Sequence, residues 1–143
     1  MIYYNVCPAE YESGGPELAH QMCYRLRELG YRAEMYYIKQ NCIEPQDVDA
    51  SSKYNTGHVC TRYEVEKESS VVIFNEAATG LIPYLSHCHK VLWWMSVDNY
   101  VLNTKESDAD ILKSQIEMHL VQSRYAYEYV KNRLGISTDR IMY

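Results

Sequence analysis

Residues 2–38 read IYYNVCPAEYESGGPELAHQMCYRLRELGYRAEMYYI, and this stretch decides the fold. Ile2 to Cys7 is short, apolar and rich in β-formers, and Pro8 to Gly15 is turn-like. Leu18, Met22, Leu26 and Leu29 then recur at spacings of four, four and three, while Glu17, Gln21, Arg25 and Glu28 occupy much of the other side, as an amphipathic helix requires. Pro16 suits the first helical turn, where its missing N–H costs nothing. Glu17 complements the positive helix end, and Gly30 stands where a left-handed C-terminal cap belongs. Tyr31 to Ile38 alternates small or apolar with polar positions and is full of tyrosine, which predicts a second strand entered directly from the helix cap. Parallel strands need such a crossover, so the stretch predicts one right-handed βαβ unit.

Downstream, Gln40 to Ser69 carries Pro45, Asn55, Gly57 and many charges with weak apolar spacing, and it predicts short elements and exposed loops. Ser70 to Phe74, SVVIF, is continuous rather than alternating, as a strand covered on both faces should be. Asn75 to Thr79 is then the loop at its carboxyl end. Thr79 as N-cap leads into a stripe of Leu81, Tyr84, Leu85 and Cys88, with Pro83 tolerated in the first turn. Lys90 to Ser96, KVLWWMS, predicts another buried strand, followed by a loop containing Val97 to Asn103. Ser107 and Asp110 form a capping box for a short helix ending near Gln115. Met118 to Gln122 reads as a further strand, and Ser123 caps a helix carrying Ala126, Val130 and Leu134, ended by Gly135. The alternation predicts an α/β domain with a mostly parallel sheet and helices on both faces. Ile141-Met142-Tyr143 resembles the opening of one more element, so the chain is read as a piece of a longer protein.

The 143 residues suffice for one domain, which buries roughly two-thirds of its unfolded surface. A composition 47% hydrophobic and 23% charged excludes disorder and low-complexity repeats. No apolar run approaches the roughly 18 residues of a membrane span, and the N-terminus lacks the basic start and apolar stretch of a secretion signal, so the expectation is cytoplasmic. Fourteen basic against nineteen acidic residues give a formal charge of −5, which disfavours nucleic acid as a partner. Five cysteines, odd in number and without a CxxC pair, argue against a disulfide framework or a zinc knuckle. Fifteen tyrosines and two tryptophans beside a single Phe suit ring stacking as well as core edges.

In open α/β sheets ligands bind outside the carboxyl ends of the strands, so chemistry is sought in the loops there. The first ends in Ser13-Gly14-Gly15-Pro16 before a helix, which lets backbone approach a ligand and aims unpaired N–H groups at an anion such as a phosphate. The same glycines also serve simply as a tight turn. Neither GxGxxG nor GxxxxGK[ST] is present, which counts against dinucleotide and P-loop readings. Asp98, after KVLWWMS, is the best polar candidate: a carboxylate there can accept a hydroxyl proton, hydrogen-bond a sugar, or bond its own turn. Glu76, after SVVIF, can bind a hydroxyl or stand as a solvated loop residue. Trp93 and Trp94 point to opposite faces of a strand, so at least one belongs to the core. His87-Cys88-His89 contains zinc-ligand types but lacks a partner cluster, and no metal is expected. His20 reads as an exposed or packing histidine, and Cys7 as a buried small hydrophobe.

The stretch Ser13 to Gln21 followed by Leu29-Gly30-Tyr31 resembles the N-terminal domain of bacterial GT-B-type glycosyltransferases, particularly those of capsular and other surface polysaccharide synthesis. Thr79-Gly80-Leu81-Ile82-Pro83, Val91 to Tyr100 and Gln122 to Tyr127 extend the resemblance along nearly the whole chain. It implies that residues 1–143 are the Rossmann-like, acceptor-side half of a GT-B fold, with the donor-binding C-terminal domain lying outside this chain. It implies transfer of a hexose, with retention, from a nucleotide-diphosphate sugar to a glycan or lipid-linked acceptor. A bound metal or other cofactor is not implied, nor is activity of this half alone, and the parent enzyme would touch the inner membrane peripherally. Gly14 and Gly15 would border the donor diphosphate through backbone N–H groups, Asp98 would be catalytic, and Glu76, Ser96 and Asn99 would contact substrate. The alternative is a non-catalytic flavodoxin-like binding or signalling domain, since fold alone does not fix activity.

Overall fold

The structure is a computed structural model that describes residues 1–9, 14–39, 42–48, 54, 56–95, 109–138 and 140–141. Strand β1 (Ile2–Pro8), helix α1 (Gly14–Glu28) and strand β2 (Arg32–Ile38) form the expected unit, the two strands parallel from Ile2 opposite Arg32 to Pro8 opposite Ile38. Gly30, at a φ of 92°, ends α1 in a backbone region that side chains rarely adopt. Its N–H bonds the Arg27 carbonyl at 3.1 Å and that of Tyr31 returns to Leu26 at 3.0 Å, the paired bonds of a Schellman cap.

The chain continues through helix α2 (Arg62–Val65), strand β3 (Ser70–Asn75), a 3-10 helix (Glu76–Tyr84), strand β4 (His89–Trp94), helix α3 (Ala109–Gln115), strand β5 (Met118–Val121), helix α4 (Arg124–Leu134) and strand β6 (Arg140–Ile141). Among the described residues the six strands are all parallel, in the order β2-β1-β3-β4-β5-β6. An isolated parallel bridge between Met35 and His58 adds a single further residue outside β2.

Strand alternation divides the core in two. Tyr4, Val6, Tyr36, Phe74, Leu92 and Trp94 pack against the 3-10 helix, α3 and α4 through Leu81, Ile82, Leu112, Val130 and Leu134. Cys7, Ala33, Met35 and Tyr37 face the other way, onto Ala19 and Cys23 of α1. Helices therefore cover both faces, and the domain is a Rossmann-like three-layer α/β fold. All six residues of β3 are buried, which is why its sequence is uninterrupted rather than alternating. Among the described residues no helix is long and apolar enough to cross a membrane.

Several boundaries differ from expectation. β1 runs on to Pro8, and Gly14 and Gly15 lie inside the first turn of α1 rather than in the loop before it. No loop separates β3 from the next helix. The Asn75 side chain donates to the Val6 carbonyl at 2.9 Å and accepts from the Ala77 N–H at 3.0 Å, so it caps the 3-10 helix at the strand's last residue. That helix ends at Tyr84, excluding Cys88, and Pro83 near its end has no N–H with which to continue an α-helical ladder. The buried Lys90 of β4 donates to the Ile82 carbonyl at 2.9 Å and to Gln115 Oε1 at 3.0 Å, tying the 3-10 helix to α3. Desolvation lowers the Lys90 pKa from its ordinary value. The expected strand at 90–96 is His89–Trp94, the expected α3 cap at Ser107 lies outside the described residues, and the element anticipated at Ile141 is β6.

Candidate functional site

From β1 the chain crosses through α1 to β2 on one side, while β3 lies on the other, so the strand order reverses between β1 and β3. In open α/β sheets, ligands sit in the crevice outside the carboxyl ends of the strands at such a point. Cys7, Pro8 and Ala9 form the β1 rim, Asn75 and Glu76 the β3 rim, and Met95 the β4 rim. The first residues of α1 stand at the same edge, because a helix following a parallel strand starts where that strand ends.

At the α1 N-terminus, Gly14 and Gly15 are the first two helical residues and Pro16 the third. With α1 opening at Gly14, the N–H groups of its first three residues have no intrahelical acceptor; Pro16 has none to offer, so Gly14 and Gly15 supply two donors. Glu17 brings a carboxylate to this positive helix end, and that carboxylate accepts from the Tyr54 hydroxyl and from Gln21 Nε2. His20, one turn on, is 5% exposed. Its Nδ1 lies 2.7 Å from the Pro16 carbonyl, which can only accept, so Nδ1 carries the proton; Nε2 lies 2.8 Å from the Tyr37 hydroxyl. His20 thus fastens the first turn of α1 to β2, a packing role.

Glu76 corrects the solvated-loop reading: it is 3% exposed and Oε2 accepts from the Met95 N–H at 3.0 Å. A buried carboxylate needs such partners, and this one fixes the end of β4 relative to β3. Asn75 does the equivalent for β1 and β3. The rim is therefore held by two consecutive polar side chains bonded to main chain on both neighbouring strands.

The remaining candidates separate clearly. Ser96, Asp98 and Asn99 lie outside the described residues. Trp93 and Trp94 are both buried, donating to Gln122 Oε1 at 2.9 Å and His119 Nδ1 at 3.1 Å, so neither is a sugar platform. Burial pushes the Cys7 thiol up to about 12 and the Cys23 thiol up to about 11, which leaves both protonated and inert at neutral pH. His87, Cys88 and His89 do not converge as a group; His89 pairs with Glu117 at 2.9 Å.

Sequence reasoning missed a second constellation. Asp47, His58 and Cys60 bring a carboxylate oxygen, an imidazole nitrogen and a thiol sulfur within 4.8 Å of one another. Hydrogen bonding to His58 first, and to Cys60 second, lowers the Asp47 carboxyl below its ordinary range, while partial desolvation and the Asp47 carboxylate raise the Cys60 thiol. The His58-Val59-Cys60 alternation around a buried valine was the available signal. Compared with known proteins, the chain matches no protein-family model and no curated protein.

Proposed function

We propose that the chain is the acceptor-side Rossmann-like unit of a metal-independent glycosyltransferase acting on a nucleotide-diphosphate sugar, and that its β1–β3 crevice receives the donor's diphosphate. The observation that carries this reading is the opening of α1 with two residues that lack side chains, at the rim where the strand order reverses. Two main-chain donors and the positive helix end favour an anion there, and they need no rearrangement to stabilise a departing nucleoside diphosphate.

In this proposal Asp98 accepts the proton of the acceptor hydroxyl, Ser96 and Asn99 contact the sugar, and Glu76 holds the rim that positions them. Calorimetric titration with a nucleoside diphosphate, against the nucleoside alone, tests the phosphate role. Binding that needs the diphosphate and weakens at least about tenfold in Gly15→Val supports it; equal binding of the nucleoside, or indifference to Gly15→Val, refutes it. In the intact transferase, Asp98→Asn should lower kcat by roughly a hundredfold or more at unchanged stability.

The order β2-β1-β3-β4-β5 is equally that of flavodoxin-like domains, and it favours a second reading as a non-catalytic binding domain of that architecture. Release of nucleoside diphosphate from a nucleotide sugar by the full-length protein selects the first reading. Binding without release selects the second.

A further inference from the structure

We propose that Asp47, His58 and Cys60 form a three-ligand Zn2+ site on the outer edge of β2, with a fourth coordination position open to solvent or to an incoming ligand.

The scaffold beneath the three side chains is fixed by main-chain bonds to the sheet edge. The Met35 N–H donates to the Gly57 carbonyl at 2.8 Å and Val59 N–H to the Met35 carbonyl at 2.9 Å, which holds residues 57–59 extended alongside β2. One turn of the pleat further, the Gln46 N–H donates to the Tyr37 carbonyl at 2.8 Å and sets down the residue before Asp47. Along an extended segment side chains alternate, so Val59 enters the core while His58 and Cys60 project together to the outside. Asp47 arrives from the other segment, its Oδ1 2.7 Å from His58 Nε2. The imidazole also packs on the Tyr37 ring, with centroids 6.0 Å apart, and that ring is anchored through its hydroxyl to His20. Three ligand atoms from two segments are thus brought together on a braced edge, which is what a metal site asks of its protein.

The donor set selects the ion. One thiolate, one imidazole and one carboxylate suit Zn2+, whose bonds of about 2.0–2.3 Å to such atoms set ligand separations near 3.5 Å in tetrahedral geometry. The separations here bracket that value, from 2.7 Å to no more than 4.8 Å, and Asp47 and Cys60 are exposed and free of core packing that would resist a small adjustment. Two anionic ligands neutralise the dication, and loss of the Cys60 proton to solvent balances the charge. Three protein ligands leave the fourth position for water or another group, as in accessible rather than closed zinc sites.

The test is titration of the metal-free full chain with Co2+ as a spectroscopic probe, followed by displacement with Zn2+. The expected result is one Co2+ per chain, a near-ultraviolet thiolate-to-cobalt charge-transfer band, and loss of that band on adding Zn2+. Cys60→Ser should abolish the band, and His58→Gln and Asp47→Asn should each weaken binding at least about tenfold. The double variant His87→Gln/His89→Gln should bind as the parent does. No uptake, a band that survives Cys60→Ser, or uptake lost only in the His87/His89 variant would overturn the proposal. Circular dichroism of each variant separates ligand loss from unfolding, and the three single variants test the site through different residues.

Discussion

At the carboxyl edge, Asn75 and Glu76 are buried and direct their polar atoms to main chain on the neighbouring strands, at the Val6 carbonyl and the Met95 N–H. On the outer edge of β2 the arrangement is reversed: main chain at Gly57, Val59 and Gln46 is bonded to the sheet, and Asp47 and Cys60 are left exposed with their polar atoms turned toward His58. The first region uses polar side chains to build a rim, so its residues serve fold and site together. The second builds its platform from backbone and leaves its side chains available for a ligand. Substitutions at the rim should therefore cost stability, whereas substitutions at the outer edge should cost binding.

The largest effect belongs to the core behind the rim. The folded Cys7 and Cys23 thiols titrate above their unfolded values, so the stability they contribute is present below pH 9 and falls as pH rises toward the folded values of about 12 and about 11. Across that window each thiol removes about 1.4 kcal/mol per pH unit, reaching about 4 kcal/mol for Cys7. Urea midpoints measured from pH 8 upward should drop steeply, and Cys7→Ala should flatten the decline; an unchanged slope would place Cys7 in contact with water. Next, Asn75→Ala removes a helix cap and leaves the buried Val6 carbonyl without its partner, at a cost of about 2–4 kcal/mol by chemical denaturation. Glu76→Ala should cost about 1–3 kcal/mol by stranding the Met95 N–H. Asp47→Asn and Cys60→Ser should each stay within about 0.5 kcal/mol of the parent in the absence of metal, and larger losses would erase the contrast between the two edges.

The βαβ unit was legible because three independent local signals agreed on it: the period of Leu18, Met22 and Leu26, the cap at Gly30, and the β-rich flanks. The rim was only half legible. Its position follows from strand order, but the burial of Glu76 does not, because an acidic residue after an apolar strand looks like a loop until Asn75 is seen to start a helix at once. The outer edge was not legible at all. Asp47 and Cys60 are joined by nothing in the intervening sequence, and they meet because residues 46 and 57–59 both dock on the outer edge of β2. Side chains brought together by tertiary pairing leave no period to read, and the sole local trace was the His58-Val59-Cys60 alternation.

The most direct test of the central claim follows the backbone amides of Gly14 and Gly15 by heteronuclear NMR while a nucleoside diphosphate is added to the chain. Saturable shifts are expected at Gly14 and Gly15, accompanied by Ala77 across the rim. Silence at those amides up to millimolar ligand, or shifts gathered around Asp47, His58 and Cys60 instead, would contradict it.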